Sequence, residues 1–154
     1  LETINRGFGG SHTSDVIEFV DRIEIPYQPA IIVLYEGDND IAAGKSVGQV
    51  VADYRQLIST IHAALPKTRV VFVSIKPSIK RWEMYPTMKA ANDEIEELTE
   101  RDARLGFVDV SKVMLGEDGK PLSELFLKDG LHMNKAGYER WSKLVRPHLT
   151  VTQE

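Results

Sequence analysis

At 154 residues, with 42% apolar and 27% charged side chains, the chain has material for one domain with a real core and too little for two. Its formal charge of -4 is modest, and no Lys- and Arg-rich run interleaved with aromatics marks a nucleic-acid groove, so nucleic acid is not an expected partner. No apolar run approaches the roughly 20 residues of a membrane span, and without cysteine there is neither a disulfide framework nor a thiolate zinc site. These features leave the compartment open between the cytoplasm and a secreted or periplasmic setting reached by a targeting segment upstream of Leu1.

In chain order, Leu1 to Ile4 reads as a short strand remnant, followed by the glycine-dense turn Asn5-Arg6-Gly7-Phe8-Gly9-Gly10-Ser11 and a helix from about Ser14 to Asp21. The continuous apolar run Ala30 to Tyr35, bounded by Pro29 and Gly37, predicts a strand buried on both faces. Val47, Val50, Val51, Tyr54, Leu57, Ile58, Ile61 and Leu65 recur in steps of three and four, which is one apolar helix stripe. Ser46 and Gln49 supply its capping box. Arg69 to Ile75 predicts a second buried strand ended by Pro77, and Met84, Met88, Ala91, Ile95 and Leu98 a second helix. A shorter strand spans Gly106 to Val110, Gly116 to Pro121 reads as a surface turn, and a last helix after Asn134 is expected to bury Tyr138, Trp141, Leu144, Val145 and Leu149. Buried strands alternating with helices require crossover connections, so the expectation is an α/β fold, a three-layer α/β/α sandwich with a parallel sheet. No repeat, linker or low-complexity tract divides residues 1–154, which are expected to form a single domain.

Folds of this class bind ligands at the carboxyl ends of their strands, and three polar clusters fall just after strand ends or near the last helix. The turn at Gly7 to Ser11 lets backbone approach a ligand and aim a free N–H at it, although such turns also serve as plain strand-to-helix connections. Gly37-Asp38-Asn39-Asp40 follows directly on the first buried strand. Its Asn39 amide can donate to a developing oxyanion, while an Asx-rich turn alone would look the same. In Asp129-Gly130-Leu131-His132, an Asp three residues ahead of a His can turn back to hold the imidazole N–H and leave the other nitrogen as a base; by itself the pair also suits a surface histidine beside a helix cap.

Together and in this order the three clusters resemble the conserved blocks of the SGNH (GDSL-type) ester hydrolases, and the likeness covers almost the whole chain. The resemblance implies a Ser-His-Asp hydrolase of small acyl or acetyl esters, with Gly10 and Asn39 as oxyanion donors, Gly9 being the lesser alternative to Gly10. It further implies His132 as general base and Asp129 as its orienting partner. It implies no cofactor. The family's remaining block, a Gly-Asp-Ser turn after the first strand, is expected upstream of the glycine turn, and the chain as given begins too late to hold it. In a flavodoxin-like sheet that first strand is central, so its absence would open a slot between its neighbours. Repair by homo-oligomerisation or strand exchange is one expectation; supply of the segment by the natural gene is the other.

Ser11 adjoins the glycine turn and is the serine placed to face the site, though hydrogen bonding in the turn is its commoner role. Arg81 and Trp82 follow the second strand and, with Ser11 and Asp38, are candidates to line a substrate pocket; packing over a helix suits Trp82 equally. His12 reads as a solvated loop residue, and His62 and His148 as helix-surface residues. Asp38, Asp40, Asp129 and His132 lack a recognisable ligand spacing, so no metal is expected. The rival reading from another class is a catalytically inactive binding or oligomer-forming protein that keeps the pocket without a nucleophile. A phosphate or nucleotide binder is weaker, because Gly7-Phe8-Gly9-Gly10 fits no dinucleotide fingerprint and no P-loop lysine follows.

Overall fold

The computed structural model describes residues 2–150. Three parallel strands, β1 (Ile31–Leu34), β2 (Arg69–Val73) and β3 (Leu105–Val108), form one sheet in the order β1-β2-β3. Each crossover carries a helix, α3 (Val47–Ala64) between β1 and β2 and α4 (Tyr85–Thr99) between β2 and β3. α1 (Thr13–Ile23) precedes the sheet, the single-turn α2 (Asp38–Ala42) leaves β1, and α5 (Lys135–Val145) is the last α-helix among the described residues.

The apolar periodicities sort into two layers. Side chains alternate faces along a strand, so Ile32 and Leu34 join Val70 and Phe72 against α1, α3 and α4, where Val50, Tyr54, Leu57, Ile61, Met88 and Ile95 are buried. Ile31 and Tyr35 turn to the other face with Val71, Val73 and Val108, where α5 contributes Trp141, Leu144 and Val145. The capping box at α3 is present, with Ser46 accepting from the Gln49 backbone and the Gln49 side chain accepting from the Ser46 N–H. Asn134 caps α5 by accepting from the Gly137 N–H.

Departures from the sequence expectations cluster in one place. Leu1 lies outside the described residues, and residues 2–8, with the rest of the expected strand remnant, pair with no strand. Val33, expected to be buried, is 45% exposed, and Tyr138, also expected inside, is 56% exposed. All three border a cavity of about 1210 Å³ between residues 2–11 and β1. Arg69 donates its backbone N–H to the Ala30 carbonyl, so even-numbered residues of β1 face β2. The main-chain groups of Ile31, Val33 and Tyr35 therefore turn towards the cavity. β1 is thus an edge strand among the described residues.

Candidate active site

The loops at the carboxyl ends of the strands meet around this cavity, whose lining includes Gly10, Ser11, Glu36, Asp38, Asn39, Lys76, Arg81 and His132. Gly10 has φ +79°, a left-handed conformation that glycine adopts without penalty. Gly37, at φ +104°, lets the chain leave β1 sharply: a Cβ there would stand 2.6 Å from the Ile75 side chain. That turn delivers Asp38, Asn39 and Asp40 into three different environments.

Asp38 is buried at 7% exposure. Its Oδ2 accepts from Lys76 Nζ at 2.7 Å and from the Tyr35 hydroxyl at 3.1 Å, and its Oδ1 accepts from Arg81 Nη1. Burial alone would raise its carboxyl pKa, but Lys76 and Arg81 outweigh burial and hold it below the usual range. Burial, aided by the Asp38 charge, pushes the Tyr35 phenol well up, so this tyrosine stays a hydroxyl donor. Asn39 Nδ2 donates to the Ser11 carbonyl at 3.0 Å, and Asn39 Oδ1 accepts from Arg81 Nη2 at 3.1 Å. Asp40 is fully buried and anchors the start of α1, accepting from the Thr13 N–H at 3.1 Å and from Lys45 at 2.7 Å.

The third block arrives on the loop before α5. That loop is tied down where the Leu127 N–H donates to the His132 carbonyl and the Lys80 N–H donates to the Gly130 carbonyl, which draws it against the segment carrying Arg81. His132 Nδ1 lies 2.6 Å from Asp129 Oδ2, while Asp129 Oδ1 accepts the backbone N–H groups of Leu131 and His132. The His132 hydrogen bond, followed by those two N–H groups, holds the Asp129 carboxyl far below its usual value. An ionised carboxylate can only accept, so Nδ1 donates to Asp129, and in the neutral imidazole that tautomer leaves the lone pair on Nε2. Among the described residues Nε2 has no hydrogen-bond partner.

Most of the residues singled out from sequence therefore share one cavity. Two do not line it: Asp129 stands behind His132, and Trp82 stacks on Tyr85 at 5.2 Å and packs against the core. Ser11 is buried with its hydroxyl 2.7 Å from Glu36 Oε1 and 3.1 Å from the Phe8 carbonyl, a role within the turn. His12 caps α1 through its backbone, His62 bonds the Thr68 carbonyl through Nε2, and His148 lies in the 3-10 turn after α5. Sequence reading passed over Glu36, whose carboxyl is raised to about 7 by burial, reinforced by Asp40, Asp15 and Asp38 against the opposing Ser11 hydrogen bond. Its place at the end of β1, directly before Gly37, was the available signal.

Comparison with known proteins bears on the family and the fold. The family model described as GDSL-like lipase/acylhydrolase matches residues 1–140. A GDSL esterase/lipase of Oryza sativa subsp. japonica is 28% identical over 83 residues, covering 47% of this chain and 32% of that protein; the match spans about a third of the curated relative. Among solved structures, a Streptococcus pneumonia protein provisionally assigned as a platelet activating factor superposes with TM-score 0.85 at 25% identity, over 96% of this chain and 72% of the other. A GDSL-like lipase from Bacteroides thetaiotaomicron gives TM-score 0.81 at 22% identity, over 94% and 74% of the two chains. An acetylxylan esterase from Geobacillus stearothermophilus, solved as a catalytic mutant, gives 0.75 at 16% identity, over 93% and 70%. At these last identities the likeness is one of fold.

Proposed function

The chain belongs to the GDSL-like lipase/acylhydrolase family, and from that membership we propose that its cavity hydrolyses small acyl or acetyl esters by Ser-His-Asp chemistry, the serine entering on a strand that fills the space beside β1. The observation that carries the reading is the Asp129–His132 pair, which presents an unengaged Nε2 on the cavity that Gly10 and Asn39 also line. The serine hydroxyl adds to the ester carbonyl as Nε2 takes its proton. The tetrahedral oxygen receives N–H bonds from Gly10 and Asn39, and collapse expels the alcohol, protonated by the imidazolium. Water then repeats the sequence on the acyl-enzyme and releases the acid. Asp129 keeps the imidazole in its productive tautomer throughout.

The slot supports the location of the serine. A parallel strand paired to the free edge of β1 would run in the direction of β1 and end beside Glu36 and Asn39, on the cavity rim where His132 lies. The alternative reading, an inactive protein that binds ligands or associates with other chains, draws on Ser11, whose hydroxyl is engaged by Glu36 and Phe8.

A synthetic peptide of about ten residues, apolar on both faces and ending in Gly-Asp-Ser, tests the proposal when added to the chain with a fluorophosphonate probe. Occupancy is read from hydrogen-exchange protection of the Val33 amide. Labelling of the peptide serine that is lost in His132→Ala is the expected result. Protection of Val33 without labelling would rule out the hydrolase reading for this site and favour the binding one.

A further inference from the structure

An amide that donates to an oxyanion has to be held by its other end. Asn39 Nδ2 carries two protons; one goes to the Ser11 carbonyl at 3.0 Å, which leaves the second for the cavity. The Oδ1 end is taken by Arg81 Nη2 at 3.1 Å. A guanidinium has donors and no acceptor, so the end of the carboxamide facing Arg81 is the oxygen.

The two anchors differ in kind: Ser11 offers a main-chain carbonyl, Arg81 a charged side chain. Residues 2–10, which lead into Ser11, are exposed and without regular structure. Arg81 is fastened from behind: Nη1 bonds Asp38 Oδ1, Asp38 Oδ2 accepts from Lys76 and Tyr35, and the Arg81 backbone N–H donates to the Ser78 hydroxyl. Asp38, Lys76 and Ser78 are all buried. The planar fork of one guanidinium thus spans neighbouring residues, charge-paired to Asp38 and hydrogen-bonded to Asn39. Lys76 already neutralises Asp38 at 2.7 Å, so charge balance alone does not require a second cation there.

We propose that Arg81 is a positioning residue for the Asn39 carboxamide, gripping its oxygen so that an N–H is presented to the cavity. This rests on Asn39 being the oxyanion donor, and it adds a residue outside the three sequence blocks to the site's machinery. A lysine at this position would keep the charge on Asp38 and lose the fork, so it would not restore the arrangement.

The experiment uses the full chain labelled with nitrogen-15, with sodium acetate as a small carboxylate probe. The Asn39 side-chain NH₂ resonances are assigned by their loss in Asn39→Asp. In Arg81→Met and in Arg81→Lys they are expected to move towards free-amide positions and exchange faster with solvent, and acetate binding is expected to weaken about fivefold. Arg81→Met combined with Asn39→Ala should bind acetate no more weakly than Asn39→Ala alone. Should Arg81→Met fail to fold, Arg81→Lys carries the test, because Asp38 then keeps two cations. Where acetate binding is too weak to measure, the resonances of the free protein decide. Unchanged Asn39 resonances in Arg81→Lys, or an Arg81 effect on acetate that persists in full without Asn39, would overturn the proposal. Resonances that depend on Arg81 while Asn39→Ala leaves acetate affinity intact would uphold the positioning and dismiss the oxyanion role.

Discussion

Glu36 places a carboxyl raised to about 7 on the wall of the cavity, and replacing it with Gln converts that fact into a stability measurement. Below 4.5 the group is protonated in both folded and unfolded chains and costs nothing. Between 4.5 and about 7 the unfolded chain has released its proton while the folded one retains it, so stability falls as pH rises, and above that window the loss is complete. The interval corresponds to about 3 kcal/mol; because the carboxyl faces an open cavity where solvent screens it, about 1.5 kcal/mol is the better expectation. Gln keeps an acceptor for the Ser11 hydroxyl, now at 2.7 Å from Glu36 Oε1, and removes the charge. Urea unfolding at pH 4.5 and pH 8.5 should therefore show Glu36→Gln gaining about 1.5 kcal/mol relative to wild type at the higher pH only, roughly 3 to 6 °C in melting temperature. An equal difference between the two proteins at both pH values would refute the reasoning, since the effect would then be packing and not ionisation.

Asp40→Ala should cost about 2–4 kcal/mol by equilibrium denaturation, because a fully buried carboxylate anchors both the Thr13 N–H and Lys45. Gly37→Ala should be destabilised by about 2 kcal/mol or more, since φ is +104° and the new Cβ would press on Ile75; the denaturation midpoint reads the loss. Carbon-13 NMR of the Asp129 carboxyl should give a titration midpoint below 3.8, and His132→Ala should return it towards that value, because the His132 hydrogen bond is the largest cause of the depression.

The strands and helices were legible because their signals are local: a buried parallel strand is apolar at every position, and α3 repeats its apolar residues at the helical period. The block at Gly37 was legible because turn chemistry suits such residues to a strand end, and the Asp129 block because an Asp three residues ahead of a His, just before a helix, is a local pattern. The hydrogen bond between Arg81 and Asn39 was not, since the two are 42 positions apart and meet only once β1 and β2 pair in register. Glu36 escaped notice for a related reason. A glutamate after a strand is ordinarily solvated, and only burial in the folded chain, reinforced by the acids around it, lifts its pKa.

Three mismatches between hydropathy and burial border a single cavity. Residues 2–4 do not pair as a strand, Val33 is exposed within an otherwise buried strand, and Tyr138 stands open on α5, edge-on to Trp141. The serine-bearing strand proposed above would lie between residues 2–11 and β1, where it would cover Val33 and Tyr138. Covering Val33 alone is worth about 1 kcal/mol, and the turned-out main-chain groups of Ile31, Val33 and Tyr35 call for hydrogen-bond partners once water is displaced. An extended segment, as proposed, would meet both demands, whereas a helix or a compact ligand would meet the first and leave the second unmet.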